Sequence, residues 1–213
     1  LGTSNVESAM DFGLLPMGTN AHQMFMVIAA ILGVTDESLR ASHNQALREW
    51  WSLYGHGLSI ALTDTFGSDF FFRDFTAEQA REWKGLRQDS GDPLVFGHKA
   101  LAFYRKHGVN PIDKLLVFSD GLDMEMIVRL FTEFDGLIKH TFGWGTLLTN
   151  DLGLSTLSLV IKAMRARLNP VYPWVDTGKL TDNIKKAMGN PEVVERYKRV
   201  FGYEGIFSQD CHV

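Results

Sequence analysis

The sequence predicts an α/β fold in which short strands alternate with helices, as in a (β/α) barrel. A short aliphatic run that ends in small and acidic residues is followed by a turn and a helix-period segment, and this unit recurs along the chain. The polar ends of successive runs lie 23 to 31 residues apart, which is the length of one βα unit. A doubly wound open sheet gives a similar alternation and stays open as an alternative.

Four strands are predicted, over 58–64, 84–89, 114–120 and 137–143. They end at Asp64, Asp89, Asp120 and Gly143. Barrel sites lie at the carboxyl ends of the strands, so we expect the three aspartates to meet at one rim. Three carboxylates repel one another unless a cation or a hydroxyl-rich ligand lies between them, and a sugar phosphate with Mg²⁺ suits them. The alternative is that each aspartate only caps the helix that follows it.

Capping residues predict the helix boundaries. N-caps are predicted at Thr76, Asp92, Asp123 and Asn190, and glycine stops at Gly55, Gly108, Gly136 and Gly202. A further helix is predicted between Thr35 and Tyr54. Thr76 and Gln79 have the spacing of a capping box. Pro93 and Pro191 directly follow predicted caps, where the first helical turn accepts proline.

The pattern changes after Asp151. Two strands are predicted over 157–164 and 171–175, joined by a turn at Asn169 and Pro170, and Pro173 places the second strand at an edge. We therefore expect one barrel-type domain over 1–213. It comprises a core over 1–165, C-terminal strands and a helix over 166–207, and a loose tail over 208–213.

Composition excludes several classes of protein. The net charge of −4 gives no electrostatic reason to expect nucleic acid or an anionic membrane surface as a partner. The longest apolar run, 24–32, is shorter than the roughly 20 residues that span a bilayer. Cys211 is the only cysteine, which excludes an internal disulfide and favours the cytoplasm. Because the chain begins at Leu1 and not at methionine, we expect the protein to extend upstream.

Four further features have polar chemistry, each with a structural alternative. Arg87 lies two residues before Asp89, so both side chains point to one face of a strand, where the guanidinium needs a ligand anion or a salt bridge to an aspartate. The glycines around Gly145 and Thr146 favour a phosphate-binding loop or a tight turn. Thr3 and Ser4 lie in a segment that either cradles an anion or caps a helix through Ser4 or Asn5. The imidazole of His22 either accepts a phosphoryl group or is a helix-start or packing residue.

Six segments in order resemble the motifs of nicotinate phosphoribosyltransferases. They are GTSN (2–5), PMGTNAH (16–22), ALTDTFG (61–67), GLRQDSGDP (85–93), LVFSD (116–120) and TFGWGTLLTND (141–151). The resemblance runs from Gly2 to about Lys162. It implies an enzyme of NAD biosynthesis that joins nicotinate to phosphoribosyl pyrophosphate, releases pyrophosphate and couples this to ATP hydrolysis through a phosphohistidine.

The resemblance also implies roles for individual residues. His22 matches the phosphohistidine, and we predict His22, Asp64 and Asp89 as catalytic residues. The predicted substrate-binding residues are Thr3, Ser4, Arg87, Asp120, Gly145 and Thr146. Mg²⁺ and ATP are expected, with Asp89 and Asp120 as candidate contacts for Mg²⁺. The implied assembly is a cytoplasmic homodimer.

The sequence departs from the family at both ends. The family's N-terminal domain and its arginine-rich strand motif are expected upstream of Gly2, outside these 213 residues. The lysine-bearing motif near the C-terminus differs at 171–179, where only Lys179 matches. We therefore expect the 213 residues alone to be an incomplete catalyst, and a non-catalytic fragment that needs a partner chain stays open. A phosphoribosyltransferase for nicotinamide or for quinolinate also stays open, although the His22 motif disfavours quinolinate and segment 147–151 disfavours nicotinamide.

Overall fold

The computed structural model describes residues 2–145, 148, 153 and 159–205. The N-terminal part consists of β1 (Gly2–Thr3), α1 (Val6–Phe12), β2 (Leu15–Pro16), α2 (His22–Leu32) and α3 (Asp36–Tyr54). Strands β1 and β2 form a small parallel pair. Helix α1 begins because the Asn5 side chain accepts a hydrogen bond from the Ser8 amide, as predicted for a cap at Ser4 or Asn5.

A four-stranded parallel sheet follows, in the order β3 (Ile60–Leu62), β4 (Gly85–Gln88), β5 (Leu115–Phe118) and β6 (Lys139–Phe142). The crossovers contain α4 (Ser68–Asp74) and α5 (Ala77–Glu82), then α6 (Pro93–Lys106), then α7 (Met124–Phe134). All four predicted strands are confirmed with shorter bounds. Because the strands are parallel and neighbours in sequence, their carboxyl ends lie side by side along one edge of the sheet.

The parallel sheet and its helices confirm the α/β class. Within the described ranges β3 pairs only with β4, and β6 pairs only with β5. The sheet is therefore open at both sides in this part of the chain, and closure into a barrel stays a prediction.

The predicted N-caps are confirmed. Asp92 accepts hydrogen bonds from the amides of Leu94 and Val95 at the start of α6. Thr76 and Gln79 form a reciprocal capping box on α5. Asp123 caps α7 and Asn190 caps the last helix. Thr35, which was not predicted as a cap, caps α3. Each of these side chains supplies an acceptor for a backbone N–H that has no partner within its helix.

The C-terminal part contains β7 (Arg165–Ala166), β8 (Val175–Asp176), β9 (Gly178–Lys179), β10 (Met188–Gly189) and α8 (Pro191–Phe201). Strands β7 and β8 form one antiparallel pair, and β9 and β10 form another. The amide of Tyr172 donates to the carbonyl of Asn169, which confirms a turn there. The predicted tail 208–213, with Cys211, lies outside the described residues.

The predicted strand over 157–164 is wrong in its described part, 159–164, which contains no strand. Pairing begins only at Arg165. The side chains of Leu159 and Ile161 are about three-quarters exposed. Burial of one face is what fixes the register of a strand against its neighbours. These residues have no buried face, so their apolar composition does not produce a strand.

An aromatic core holds the C-terminal helix against the sheet. Phe66, which follows β3, stacks on Phe201 of α8 with ring centroids 4.2 Å apart, and Tyr197 contacts both rings edge-on. This packing places the segment between β9 and α8 over the carboxyl ends of the strands. No helix in the described part of the chain is both long and apolar enough to cross a membrane.

Candidate active site

His22 lies where the loops after β3 and β4 meet. It is the first residue of α2 and is only 7% exposed. Its Nε2 atom lies 3.0 Å from Oδ2 of Asp89 and 3.8 Å from Oδ1 of Asp64. Its Nδ1 atom lies 3.0 Å from the hydroxyl oxygen of Thr65. One imidazole is therefore held between a hydroxyl and two carboxylates.

This arrangement favours one ring tautomer. Carboxylates accept hydrogen bonds, so Nε2 carries the proton and donates to Asp89. In the neutral ring the Thr65 hydroxyl then donates to Nδ1. The ring orientation is fixed from both sides, as a residue that exchanges a proton or a phosphoryl group requires.

Asp89 is held by several donors. Its Oδ1 accepts from Nη2 of Arg87 at 3.0 Å and lies 3.1 Å from the hydroxyl of Ser119, to which Arg87 Nε also donates. Burial alone would raise the pKa of Asp89, but the hydrogen bond from His22 and the charge of Arg87 outweigh it and hold that pKa well below its ordinary value. Arg87 and Asp89 do share one face, and there they form a salt bridge with each other.

Asp64 is completely buried. Its Oδ2 accepts a hydrogen bond from the hydroxyl of Ser90. Its Oδ1, the oxygen that faces His22, has no hydrogen-bond partner among the described residues. A buried carboxylate oxygen without a partner is costly, so a proton donor or a cation at this point would stabilise the site.

Asp120 and two lysines complete the cluster. Asp120 follows β5 and forms an ion pair with Lys186. Burial raises the pKa of Asp120, with the charges of Asp89 and Asp64 adding to the effect, in spite of the hydrogen bond from Lys186. Lys179 is buried, which lowers its pKa, while the charges of Asp64 and Asp89 oppose that shift. The three aspartates thus converge, and the cluster also contains cations.

Comparison with known proteins places this arrangement in a family. A sequence model of the nicotinate phosphoribosyltransferase (NAPRTase) family matches residues 1–205. The chain belongs to this family.

Solved structures of family members resemble it closely. The nicotinate phosphoribosyltransferase of Porphyromonas gingivalis matches with a TM-score of 0.87 and 33% identity, over 94% of this chain and 51% of that one. The enzyme of Vibrio cholerae gives 0.83 and 36%, over 99% and 48%. A putative nicotinate phosphoribosyltransferase of Saccharomyces cerevisiae gives 0.83 and 31%, over 95% and 49%. The chain spans about half the length of these relatives.

Three other predicted residues of this nicotinate phosphoribosyltransferase family member, Thr3, Ser4 and Gly145, lie in the described part of the chain. In the described ranges no hydrogen bond connects Thr3 or Ser4 to the cluster; the Thr3 hydroxyl instead accepts from the Asn5 amide. Gly145 is exposed after β6, and Thr146 lies outside the described residues. Gly143 does approach the site, because a Cβ there would lie 2.9 Å from that of Ser119.

Sequence reasoning missed several side chains that hold the site. Thr65 contacts His22 and Ser90 donates to Asp64. Both directly follow predicted catalytic aspartates, and this position next to the strand ends is the sequence feature that could have identified them. Thr19 contacts Arg87 at 3.4 Å from within a family motif. No nearby sequence pattern could have identified Lys186 as a site residue, because its partner Asp120 lies 66 positions away in the chain.

The described residues hold no group of three or more histidine, cysteine, aspartate or glutamate side chains that could bind a metal ion by themselves. Mg²⁺, however, is usually bound through one or two protein carboxylates together with substrate phosphates. Asp89 and Asp120 have partly exposed side chains at the same rim, so they fit that mode of binding.

Proposed function

We propose that the protein is a nicotinate phosphoribosyltransferase, which forms nicotinate mononucleotide and pyrophosphate from nicotinate and phosphoribosyl pyrophosphate in NAD biosynthesis. Membership of the family supports the reaction class. The observation that carries the proposal is the position of His22 between Asp89 and Asp64, beside the guanidinium of Arg87. This geometry suits an imidazole that accepts a phosphoryl group from ATP.

In the proposed phosphorylation, Nδ1 of His22, which is the unprotonated ring nitrogen when Nε2 carries the proton, attacks the γ-phosphorus of ATP as the Thr65 hydroxyl turns away. The N–P bond forms and the P–O bond to ADP breaks, while the proton stays on Nε2. Asp89 accepts that proton in a hydrogen bond, and the carboxylates of Asp89 and Asp64 stabilise the positive charge that the ring gains. Hydrolysis of the phosphohistidine returns His22 to its starting state.

In the proposed glycosyl transfer, the anomeric carbon of the ribose becomes positively charged as pyrophosphate leaves. The carboxylates of Asp64, Asp89 and Asp120 stabilise such a charge electrostatically. Asp89 and Asp120 would hold Mg²⁺, which when bound neutralises charge on the leaving pyrophosphate. Lys179 and Lys186 supply further positive charge at the same rim.

Arg87 is the proposed contact for the carboxylate of nicotinate. A guanidinium presents five N–H donors, and a planar fork matches a carboxylate. Nε and Nη2 donate to Ser119 and Asp89, while among the described residues Nη1 makes one long contact, of 3.4 Å, with Thr19. A second anion can therefore bind on the Nη1 side.

The remaining elements of the proposal concern the whole enzyme. Gly145 and Thr146 would hold the phosphate of the nucleotide, and the parallel sheet would form part of a (β/α) barrel. A cytoplasmic homodimer is proposed for the intact enzyme. The exposed apolar side chains of Val6, Met10 and Phe12 on α1 support an interface at that helix.

A turnover assay of the intact protein tests the proposal. Nicotinate, phosphoribosyl pyrophosphate, Mg²⁺ and ATP are supplied, and nicotinate mononucleotide is measured by chromatography. Nicotinamide and quinolinate replace nicotinate in parallel reactions. We expect product from nicotinate and faster turnover with ATP. Product from nicotinamide or quinolinate alone, or from none of the three, would refute the assignment.

A further inference from the structure

Residues 177–186, here called the strap, cross the carboxyl ends of three strands. The amide of Leu180 donates to the carbonyl of Thr65 at 2.9 Å, just after β3. The amide of Asp182 donates to the hydroxyl of Ser90 at 2.9 Å, just after β4. Lys186 forms its ion pair with Asp120, just after β5.

Each strap contact reaches a residue of the candidate active site or its hydrogen-bonding partner. Thr65 contacts Nδ1 of His22, and Ser90 donates to Asp64. Asp120 belongs to the acidic cluster itself. One segment of ten residues therefore supports three parts of the site at the same time.

The Ser90 hydroxyl has a fixed direction. It is 1% exposed and has two neighbours, the amide of Asp182 and Oδ2 of Asp64. A backbone amide only donates, so the hydroxyl accepts from Asp182 and its single proton goes to Asp64. Oδ2 of Asp64 is thereby fixed, and Oδ1 is left facing His22.

The strap is itself anchored tightly at Asp182. Its Oδ1 accepts from the amide of Ser68 at 2.7 Å. Gly91, with φ of +79°, makes room for it, because a Cβ there would lie 2.9 Å from Cβ of Asp182. Next to it, Thr181 has φ of +61°, the sole positive φ among the described non-glycine residues, and Tyr203 donates to its carbonyl. Such a conformation persists only where the surroundings enforce it.

We propose that Ser90 and Asp182 are positioning residues for the phosphorylation of His22, an inference that rests on the function proposed above. The strap fixes the Ser90 hydroxyl through the Asp182 amide, and Ser90 in turn holds Asp64 with its second oxygen toward His22. The chemical step depends on that orientation, whereas substrate binding does not. This gives the divergent C-terminal region a role in catalysis in addition to packing.

The first test compares Ser90→Ala with a matched control, Ser59→Ala. Ser59 is equally buried, donates to the carbonyl of His56 at 2.9 Å and accepts from the amide of Lys84 at 3.1 Å, but it precedes β3 at the opposite end of the strand. Each variant loses a buried hydroxyl that donates one hydrogen bond and accepts another. We therefore expect similar decreases in melting temperature.

Only Ser90→Ala should affect chemistry. We expect kcat with ATP to fall at least about tenfold, with KM for nicotinate and for phosphoribosyl pyrophosphate within about twofold of the parent. Ser59→Ala should retain the parent kcat. Equal kcat in the two variants, or a change confined to KM, would overturn the proposal.

The second test separates the hydrogen-bond acceptor of the Asp182 side chain from its charge. Asp182→Asn keeps an oxygen that accepts from the Ser68 amide, whereas Asp182→Ala removes it. We expect the asparagine variant to keep kcat and the alanine variant to lose it as Ser90→Ala does. Equal losses in both variants would contradict anchoring of the strap by this hydrogen bond.

A third measurement does not depend on the proposed function. Diethyl pyrocarbonate modifies imidazole nitrogen, and mass spectrometry gives its rate at His22 in the parent, Ser90→Ala and Ser59→Ala. We expect a rate change of at least about threefold in Ser90→Ala alone, because Asp64 no longer holds its orientation. If the parent lacks turnover but this difference is present, the proposed function fails and the positioning stands. Equal rates in all three proteins would refute the positioning.

Discussion

Nε2 of His22 lies 3.0 Å from Oδ2 of Asp89, although the two residues are 67 positions apart in the chain. The contact joins the start of α2 to the end of β4 in the site. Asp89 also accepts from Arg87, so the imidazole belongs to a continuous chain of charge-assisted hydrogen bonds. The reactivity of His22 should therefore depend on the groups that hold Asp89 and Asp64.

Replacement of Asp89 by alanine should remove most turnover while the protein stays folded. The variant loses a partner of His22 and a candidate contact for Mg²⁺, and we expect kcat/KM to fall by at least about a hundredfold. Steady-state kinetics and circular dichroism measure the two effects. Asp123→Ser, which keeps a cap on α7, is the control and should retain turnover. Turnover equal to that of the parent would show that Asp89 is not catalytic and serves only in the salt bridge with Arg87.

Arg87→Lys should raise KM for nicotinate more than it lowers kcat. Lysine keeps the charge, but a single ammonium group cannot contact Ser119, Asp89 and a substrate carboxylate with the geometry of a guanidinium. We expect KM for nicotinate to increase about tenfold and KM for phosphoribosyl pyrophosphate to change little. Equal increases in both constants would place Arg87 away from the nicotinate carboxylate.

Asp182 should make the stability of the protein depend on pH. Burial, with the charge of Asp64 adding to it, raises the pKa of Asp182 to about 7, although the Ser68 amide opposes the shift. A carboxyl with a raised pKa in the folded state favours folding below its ordinary pKa, and this contribution is lost as pH rises through about 7.

The measurement is the melting temperature of the parent and of Asp182→Asn at pH 5 and pH 8. Since the amide side chain does not ionise, we expect the variant to gain several degrees over the parent at pH 8 and much less at pH 5. A difference that is the same at both pH values would contradict the raised pKa.

Gly97→Ala should destabilise the contact between α6 and α7. A Cβ at this position would overlap the ring of Phe134, which is fully buried. We expect a loss of about 1–3 kcal/mol in the free energy of unfolding, as for other overpacked cores. Gly57→Ala, with nothing within 4 Å of its Cβ position, is the control for denaturant unfolding. The double variant Gly97→Ala/Phe134→Leu should regain part of the lost free energy of unfolding. If it regains none, overlap with the Phe134 ring is not the cause of the loss.

Local signals account for the parts of the fold that were predicted. The capping residues Thr76, Asp92 and Asp123 act on amides two or three residues away, so sequence spacing is sufficient to identify them. The convergence of Asp64 and Asp89 follows from parallel pairing, because adjacent parallel strands end at one edge.

The parts that were missed depend on long-range contacts. Ser90 meets Asp182 across 92 positions, and Lys186 meets Asp120 across 66. No periodicity or motif encodes such contacts, since they arise when α8 packs onto the aromatic core. The strand prediction for the apolar run that includes Ile161 is wrong for a related reason. Apolar composition alone cannot distinguish a buried strand from an exposed segment.

Labelling with γ-³²P-ATP measures phosphorylation of His22, the step on which the proposed coupling to ATP depends. The intact parent protein, His22→Ala and the surface control His98→Ala are incubated with labelled ATP and Mg²⁺, and the label is followed after acid and after base treatment. We expect acid-labile, base-stable label in the parent and in His98→Ala, and none in His22→Ala. Equal label in His22→Ala would show that His22 is not the phosphorylated residue.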